Sequence, residues 1–177
     1  FLIIASPDSP TGNVLSMQKF KTLEKLIAKK NGFFLFDATY GLYEGFENLK
    51  EIIKLIKISS CSLLTTSLSK SPGLAGTRLG FITGSIDNLN KIRAKRPMYE
   101  IGALQASILN NVLLNWDSCL KIISQINSNK KELQILLKKN TDCVLNTGGN
   151  FTLFKSNDEL DSALSKICYF RNQFNSE

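Results

Sequence analysis

Between Phe1 and Lys95, short apolar runs alternate with stretches whose apolar residues recur at helical spacing, and this alternation restricts the fold more than any other feature. Phe33 to Asp37 is a continuous apolar run that ends in an acid, as expected of a strand buried on both faces. Phe1 to Ala5 reads as another buried strand, stopped by Ser6-Pro7. Ser60 to Thr66 reads as a third strand and Gly80 to Thr83 as a short fourth. Between them, Leu15, Phe20, Leu23, Leu26 and Ile27 predict a helix over about Val14 to Lys30, halted by Asn31-Gly32. Helices also follow over Asn48 to Lys57 and Ile86 to Lys95. Strand–helix–strand alternation predicts an α/β layer: a sheet of parallel strands with flanking helices.

The character changes after Pro97. Leu104 to Leu114 and Leu120 to Leu137 are long helical patterns. Asp142 to Asn146 and Asn150 to Phe154 read as short strands, with a helix from about Asp158 to Phe170. The expected division is an α/β domain over 1–118, then a connecting helix and part of a smaller α+β domain over 119–177. No internal repeat or low-complexity stretch interrupts it. The chain opens inside a strand without Met, so a fragment of a longer protein is the expectation.

Composition narrows the chemistry. The sequence of 177 residues contains no His, which excludes a Ser-His-Asp triad, a His proton shuttle and a His metal ligand within it. The net charge of +7 is spread over helices, as at Lys25, Lys29, Lys30, Lys54 and Lys57, and reads as a solvated face rather than a nucleic-acid stripe. Cys61, Cys119, Cys143 and Cys168 form no C-x-x-C pair and read as buried free thiols of a reducing, cytoplasmic compartment. No apolar run approaches the roughly 20 residues that span a bilayer. Phe1 to Ala5 lacks the basic flank of a signal peptide.

Three loops follow predicted strands at their carboxyl ends, where ligands of open parallel sheets gather. Ser6-Pro7-Asp8-Ser9-Pro10-Thr11-Gly12-Asn13 is a tight turn that would hold Ser9 near a strand tip, although an ordinary turn explains it as well. Asp37-Ala38-Thr39-Tyr40 ends an apolar strand in an acid, which is costly without a partner. Asp37 is either a helix-capping or salt-bridged side chain, or the partner of a cationic ring nitrogen, with Tyr40 donating to an oxygen of the same ring. In the third loop Lys70 lies among Ser, Pro and Gly, and Arg78 follows within Gly73-Leu74-Ala75-Gly76-Thr77-Arg78-Leu79-Gly80. Small residues permit close backbone approach to a ligand. Ser67, Ser69 and Arg78 are donors suited to a phosphate dianion.

Taken together, Ser9-Pro10-Thr11-Gly12, Asp37-x-x-Tyr40 and Ser67-x-Ser69-Lys70-x-x-Gly73-x-Ala75-Gly76-x-Arg78-x-Gly80 resemble fold-type I pyridoxal-phosphate (PLP) enzymes. They are most similar to the class I/II aminotransferases of the histidinol-phosphate aminotransferase-like branch. Arg96 to Ala106 and Asn150-Phe151-Thr152-Leu153 also resemble segments of that family, so the likeness runs from residue 1 to about 155.

The resemblance implies a large-domain sheet with part of a small domain, and pyridoxal 5'-phosphate as cofactor. Lys70 would be the Schiff-base lysine and proton carrier. Asp37 would keep the pyridine nitrogen protonated, Tyr40 would bond the phenolic oxygen, and Ser67, Ser69 and Arg78 would hold the phosphate. Ser9 stands where the family's pattern carries Asn. The family's N-terminal part, with a further phosphate turn and a ring-stacking aromatic, has no counterpart here. Its substrate-carboxylate Arg has only Arg171 as an imperfect candidate. The implied activity is transfer of an amino group between an amino acid and a 2-oxo acid by a homodimer, with no nucleic-acid, membrane or metal partner. The alternatives are a PLP decarboxylase of a phosphorylated amino acid and a truncated, non-catalytic homologue.

Overall fold

Phe20 lies at the centre of the main core because three elements direct apolar side chains toward it. In a computed structural model that describes residues 1–141 and 143–166, helix α1 (Met17–Lys29) carries Phe20 against strand β2 (Phe34–Asp37). The Phe20 ring centroid is 5.5 Å from that of Phe34 and 5.3 Å from that of Phe36. Helix α2 (Phe46–Ile58) adds Leu49, Ile52 and Ile56, and strand β3 (Ser62–Ser67) adds Leu64. Each fully buried Phe or Ile of this cluster contributes about 1.5–3 kcal/mol through loss of apolar surface. Ser16 caps α1 by accepting from the Lys19 N–H at 3.3 Å. At the other end Asn31 has φ 51°, and the Gly32 N–H donates back to the Ile27 carbonyl, which ends the helix where Asn-Gly predicts.

The sheet order is β1-β2-β3-β4, with β1 spanning Leu2–Ala5 and β4 spanning Gly80–Gly84. β1 pairs with β2 and β2 with β3 in parallel, whereas β4 runs antiparallel to β3. The expectation of an all-parallel layer is therefore corrected at β4. A parallel return needs a crossover, usually a helix. Leu68 to Leu79 forms a loop with one short 3-10 turn, Ala75–Thr77, and the chain reverses beside β3 instead.

The reading of Phe1 to Ala5 as a buried strand is also corrected. β1 is an edge strand and Ile3 is 59% exposed. Phe34 and Phe36 of β2 are buried and Leu35 only partly so. Both helices of the core cluster cover one face of the sheet, and among the described residues the other face is more open. Apolar continuity along a strand does not reveal which faces are covered.

Helix α3 is Ile86–Arg93, capped by Ser85, and α4 is Ala103–Leu114. Helix α5, Trp116–Leu137, is the longest element. A second core joins Leu68 and Leu79, the two ends of the Lys70 loop, to Val112 of α4 and Cys119 of α5. Among the described residues, the two strands expected at 142–146 and 150–154 reduce to an antiparallel bridge, Val144 with Phe154. The Leu145 and Lys155 N–H groups donate across the bridge to the Leu153 and Cys143 carbonyls, each at 2.8 Å, while Gln134 donates to the Leu145 carbonyl and the Thr147 hydroxyl donates to the Phe151 carbonyl. Helix α6 is Asp158–Ser165, capped by Asn157. The expected continuation of α6 to Phe170, together with Cys168 and Arg171, lies outside the described residues.

Cys61, Cys119 and Cys143 are free thiols. Cys119 is buried and Cys61 partly so, but Cys143 is exposed, contrary to the expectation of buried thiols. No helix of the described residues is long and apolar enough to cross a membrane.

Candidate active site

The three candidate loops share one edge of the sheet. Ala5, Asp37 and Thr65 stand abreast in register, so the chain leaves β1, β2 and β3 on the same side. Ser67 pairs with Gly80, which brings Arg78 back to that edge at the start of antiparallel β4. Antiparallel β4 thus serves the site: it returns the far end of the Lys70 loop to the place where the loop began.

Asp37 makes an Asx turn. Its Oδ1 accepts from the Thr39 N–H at 2.9 Å and from the Thr39 hydroxyl at 2.6 Å. Asp37 has no ion pair and caps no helix among the described residues; its bonds are local, to Thr39. Both bonds fall on Oδ1, and Oδ2 accepts from no donor among the described residues.

Tyr40 precedes a 3-10 turn, Gly41–Glu44. Its ring meets Phe151 edge-on, with centroids 5.3 Å apart, and the Lys70 Nζ lies 5.7 Å from the Tyr40 centroid. That is within range of a cation–π contact. Lys70 is exposed at its tip, while the loop is clamped at its ends by buried Leu68 and Leu79. Ser67 Oγ lies 2.7 Å from Ser69 Oγ and accepts from the Ser69 N–H at 3.0 Å, so the two hydroxyls form one cluster.

Arg78 has a left-handed backbone, φ 54°, and its exposed guanidinium donates to the Ala75 carbonyl of its own loop at 3.4 Å. Gly73 has φ +92°, a conformation that favours glycine, whereas a Cβ at Gly73 or Gly76 would meet open space. Ser9 is exposed. The bonds of its loop converge on Asp8, which takes the Thr11 hydroxyl at 2.7 Å and the Asn13 N–H at 2.6 Å. The sheet register thus brings the backbones of Asp37, Ser67 and the Lys70 loop to one edge, with the Lys70 amine beside Tyr40, while the Arg78 guanidinium bonds its own loop and Ser9 does not organise its own turn.

Sequence reasoning missed a second layer. Tyr43 is buried and donates its hydroxyl to the Lys70 carbonyl at 2.7 Å. Asn127 of α5 donates to the Tyr43 carbonyl at 3.0 Å. Lys130, one turn further on, donates to the Thr147 and Gly149 carbonyls at 2.8 and 2.7 Å. Burial holds the Lys130 ammonium below its ordinary lysine value, with Glu44 pulling the other way. The tethered segment 147–149 lies against the first loop, where the Gly148 N–H donates to the Gly12 carbonyl at 2.7 Å. A Cβ on Gly149 would lie 3.1 Å from Tyr40 Cδ1. The spacing of Tyr43 three residues after Tyr40 was the one available hint, since side chains at i and i+3 of a 3-10 turn eclipse.

Comparison with known proteins places this geometry. The model of the family described as aminotransferase class I and II matches residues 1–174. A histidinol-phosphate aminotransferase of Christiangramia forsetii is 26% identical over 179 residues, covering 98% of this chain and 49% of that protein. The crystal structure of the histidinol-phosphate aminotransferase from Clostridium acetobutylicum superposes with a TM-score of 0.72 at 24% identity, covering 93% of this chain and 51% of that one. That of L-threonine-O-3-phosphate decarboxylase from Porphyromonas gingivalis gives 0.73 at 19% identity, over 88% of this chain and 47% of that one. At these identities the two superpositions speak to fold alone. The chain spans about half the length of the curated relatives it matches. A family match over nearly the whole sequence means that the chain belongs to the class I and II aminotransferases.

Proposed function

We propose that the chain forms the lysine-bearing part of a pyridoxal 5'-phosphate site, and that the whole protein transfers an amino group from an amino acid to a 2-oxo acid. One observation carries this reading: the Lys70 ammonium stands 5.7 Å from the Tyr40 centroid, at the sheet edge that also bears Asp37 and the Ser67–Ser69 cluster. The donor set suits a flat phosphorylated heterocycle. It offers a primary amine for an aldehyde, a carboxylate for a ring nitrogen, a phenol for a ring oxygen, and two hydroxyls with a guanidinium for a dianion. The cofactor, when bound, supplies an electron sink for the charge left on the substrate Cα.

Lys70 would hold the cofactor through Nζ, and its amine would be the group that carries a proton to and from the substrate Cα. Asp37 would keep a proton on the ring nitrogen, and the Thr39 bonds to Oδ1 hold that carboxylate in orientation. Tyr40 Oη would donate to the ring oxygen, and Ser67, Ser69 and Arg78 would bind the phosphate, with Ser9 contributing from the first loop. We divide the chain after residue 118, in the first turn of α5, into the cofactor-binding part and the connecting helix with its smaller domain.

The names of the matched relatives make histidinol phosphate the first substrate to assay. Leu104 and Leu114 of α4 are 74% and 77% exposed, which supports association as a homodimer. A cytoplasmic location goes with the free thiols Cys61, Cys119 and Cys143 of the described residues. The P. gingivalis likeness keeps decarboxylation of a phosphorylated amino acid as a second reading. Release of carbon dioxide without 2-oxo acid formation would favour it.

Borohydride reduction of the cofactor-loaded full chain should leave a mass adduct on Lys70. Lys70→Ala should abolish the adduct and cost about 10²–10⁴-fold in turnover, the usual weight of one positioned proton-transfer group. A fully active Lys70→Ala protein would overturn the assignment.

A further inference from the structure

We propose that Tyr43 is a positioning residue for Lys70 and that Asn127 of α5 holds Tyr43 in place, an inference that rests on the reading of Lys70 as the cofactor-binding amine. The Tyr43 ring is 5% exposed, and its hydroxyl, which needs a partner once buried, finds the Lys70 main-chain carbonyl at 2.7 Å. Tyr40 caps the 3-10 turn that contains Tyr43, and the Tyr43 N–H donates to the Tyr40 carbonyl at 3.1 Å. One short turn therefore presents the ring beside which the Lys70 amine stands and also anchors the Lys70 backbone.

The turn is anchored from α5, where Asn127 Nδ2 donates to the Tyr43 carbonyl at 3.0 Å. Among the described residues the Asn127 Oδ1 is buried without a hydrogen-bond partner. An amide that leaves its acceptor unsatisfied in order to donate to Tyr43 is held there at a cost. The path from α5 through Asn127 and Tyr43 to Lys70 is short, continuous and made of directional contacts. Phe at 43 would fill the same volume, so the hydroxyl alone separates a positioning role from plain packing.

The test compares wild type, Tyr43→Phe, Asn127→Ala and the double variant in the full chain. It has two readouts: exchange of the Leu68 and Leu74 amides, which are hydrogen-bonded on either side of Lys70, without cofactor, and the rate at which pyridoxal phosphate with borohydride labels Lys70, followed by mass spectrometry. Tyr43→Phe should speed the exchange and slow the labelling, each about fivefold, the worth of one net hydrogen bond. Asn127→Ala should act in the same direction more weakly and add nothing to Tyr43→Phe, because it acts through the same link. A Tyr43→Phe chain with a lowered melting temperature but unchanged exchange and labelling at Lys70 would mean a packing role only and overturn the proposal. Full additivity in the double variant would overturn the role of Asn127. Wild-type labelling that falls on a lysine other than 70 would instead strike the site reading itself, a result the exchange data keep distinct.

Discussion

Replacing Lys130 by Met keeps the aliphatic stem of the side chain and deletes the ammonium that bridges the Thr147 and Gly149 carbonyls. Thr147 and Gly149 are buried, so neither acceptor turns readily to water. A buried acceptor left unpaired costs about 1–3 kcal/mol, which sets the loss for two. Against it stands the cost of burying the ammonium, visible in its lowered pKa and relieved by Met. The acceptors outweigh it because Met leaves both carbonyls in place and supplies no donor; the net expectation is a loss of about 2–4 kcal/mol. For a chain of this size that is a fall of about 5–15 °C in melting temperature.

Circular dichroism melts of Lys130→Met should show this fall, while Lys131→Met, at an exposed neighbour, should stay within about 0.5 kcal/mol of wild type. The pH dependence has a definite sign. The folded-state ammonium loses its proton below the ordinary 10.5. Between the lowered value and 10.5 the unfolded chain binds more protons than the folded one, so the stability contributed by this group rises with pH. The advantage of wild type over Lys130→Met should therefore widen as pH climbs through that window. Equal melting temperatures, or an advantage that narrows with rising pH, would refute the reasoning.

Gly12→Ala combines a left-handed backbone, φ +69°, with a Cβ 2.7 Å from Thr147 Cα and 2.8 Å from the Gly148 nitrogen, none of which is a flexible side-chain end. The backbone conformation alone costs about 1–2 kcal/mol, so the urea midpoint should fall clearly, and an unchanged midpoint would exclude the close packing of the two loops. Asp37→Ala should reduce kcat by about 10²-fold or more, as loss of a preorganised electrostatic contact does, while weakening cofactor binding less. An unchanged kcat would remove Asp37 from the ring nitrogen.

Much of the candidate site is legible in the sequence because its signals are local. Lys70 within its Ser, Pro and Gly loop and Asp37 three residues before Tyr40 are spacings along the chain. The supporting layer is not legible: Tyr43 and Lys70 are 27 positions apart, and Asn127 and Tyr43 are 84 apart. Ser9 carries the motif resemblance, yet Asp8 makes the bonds that shape its turn. Asp8 is the residue that Asx-turn chemistry favours, with Thr11 and Asn13 within reach.

From the sequence alone come the order of strands and helices, the loops between them and the family, because periodicity, caps and motifs act over a few residues. Only the tertiary structure decided the reversal of β4, the exposure of β1, the collapse of the expected 142–154 strands to a bridge, and the ties from α5 to Tyr43 and to segment 147–149. Each of these depends on which distant polar group or apolar face meets which. That pairing follows from the burial and hydrogen-bond balance of the whole chain, not from any short stretch of it.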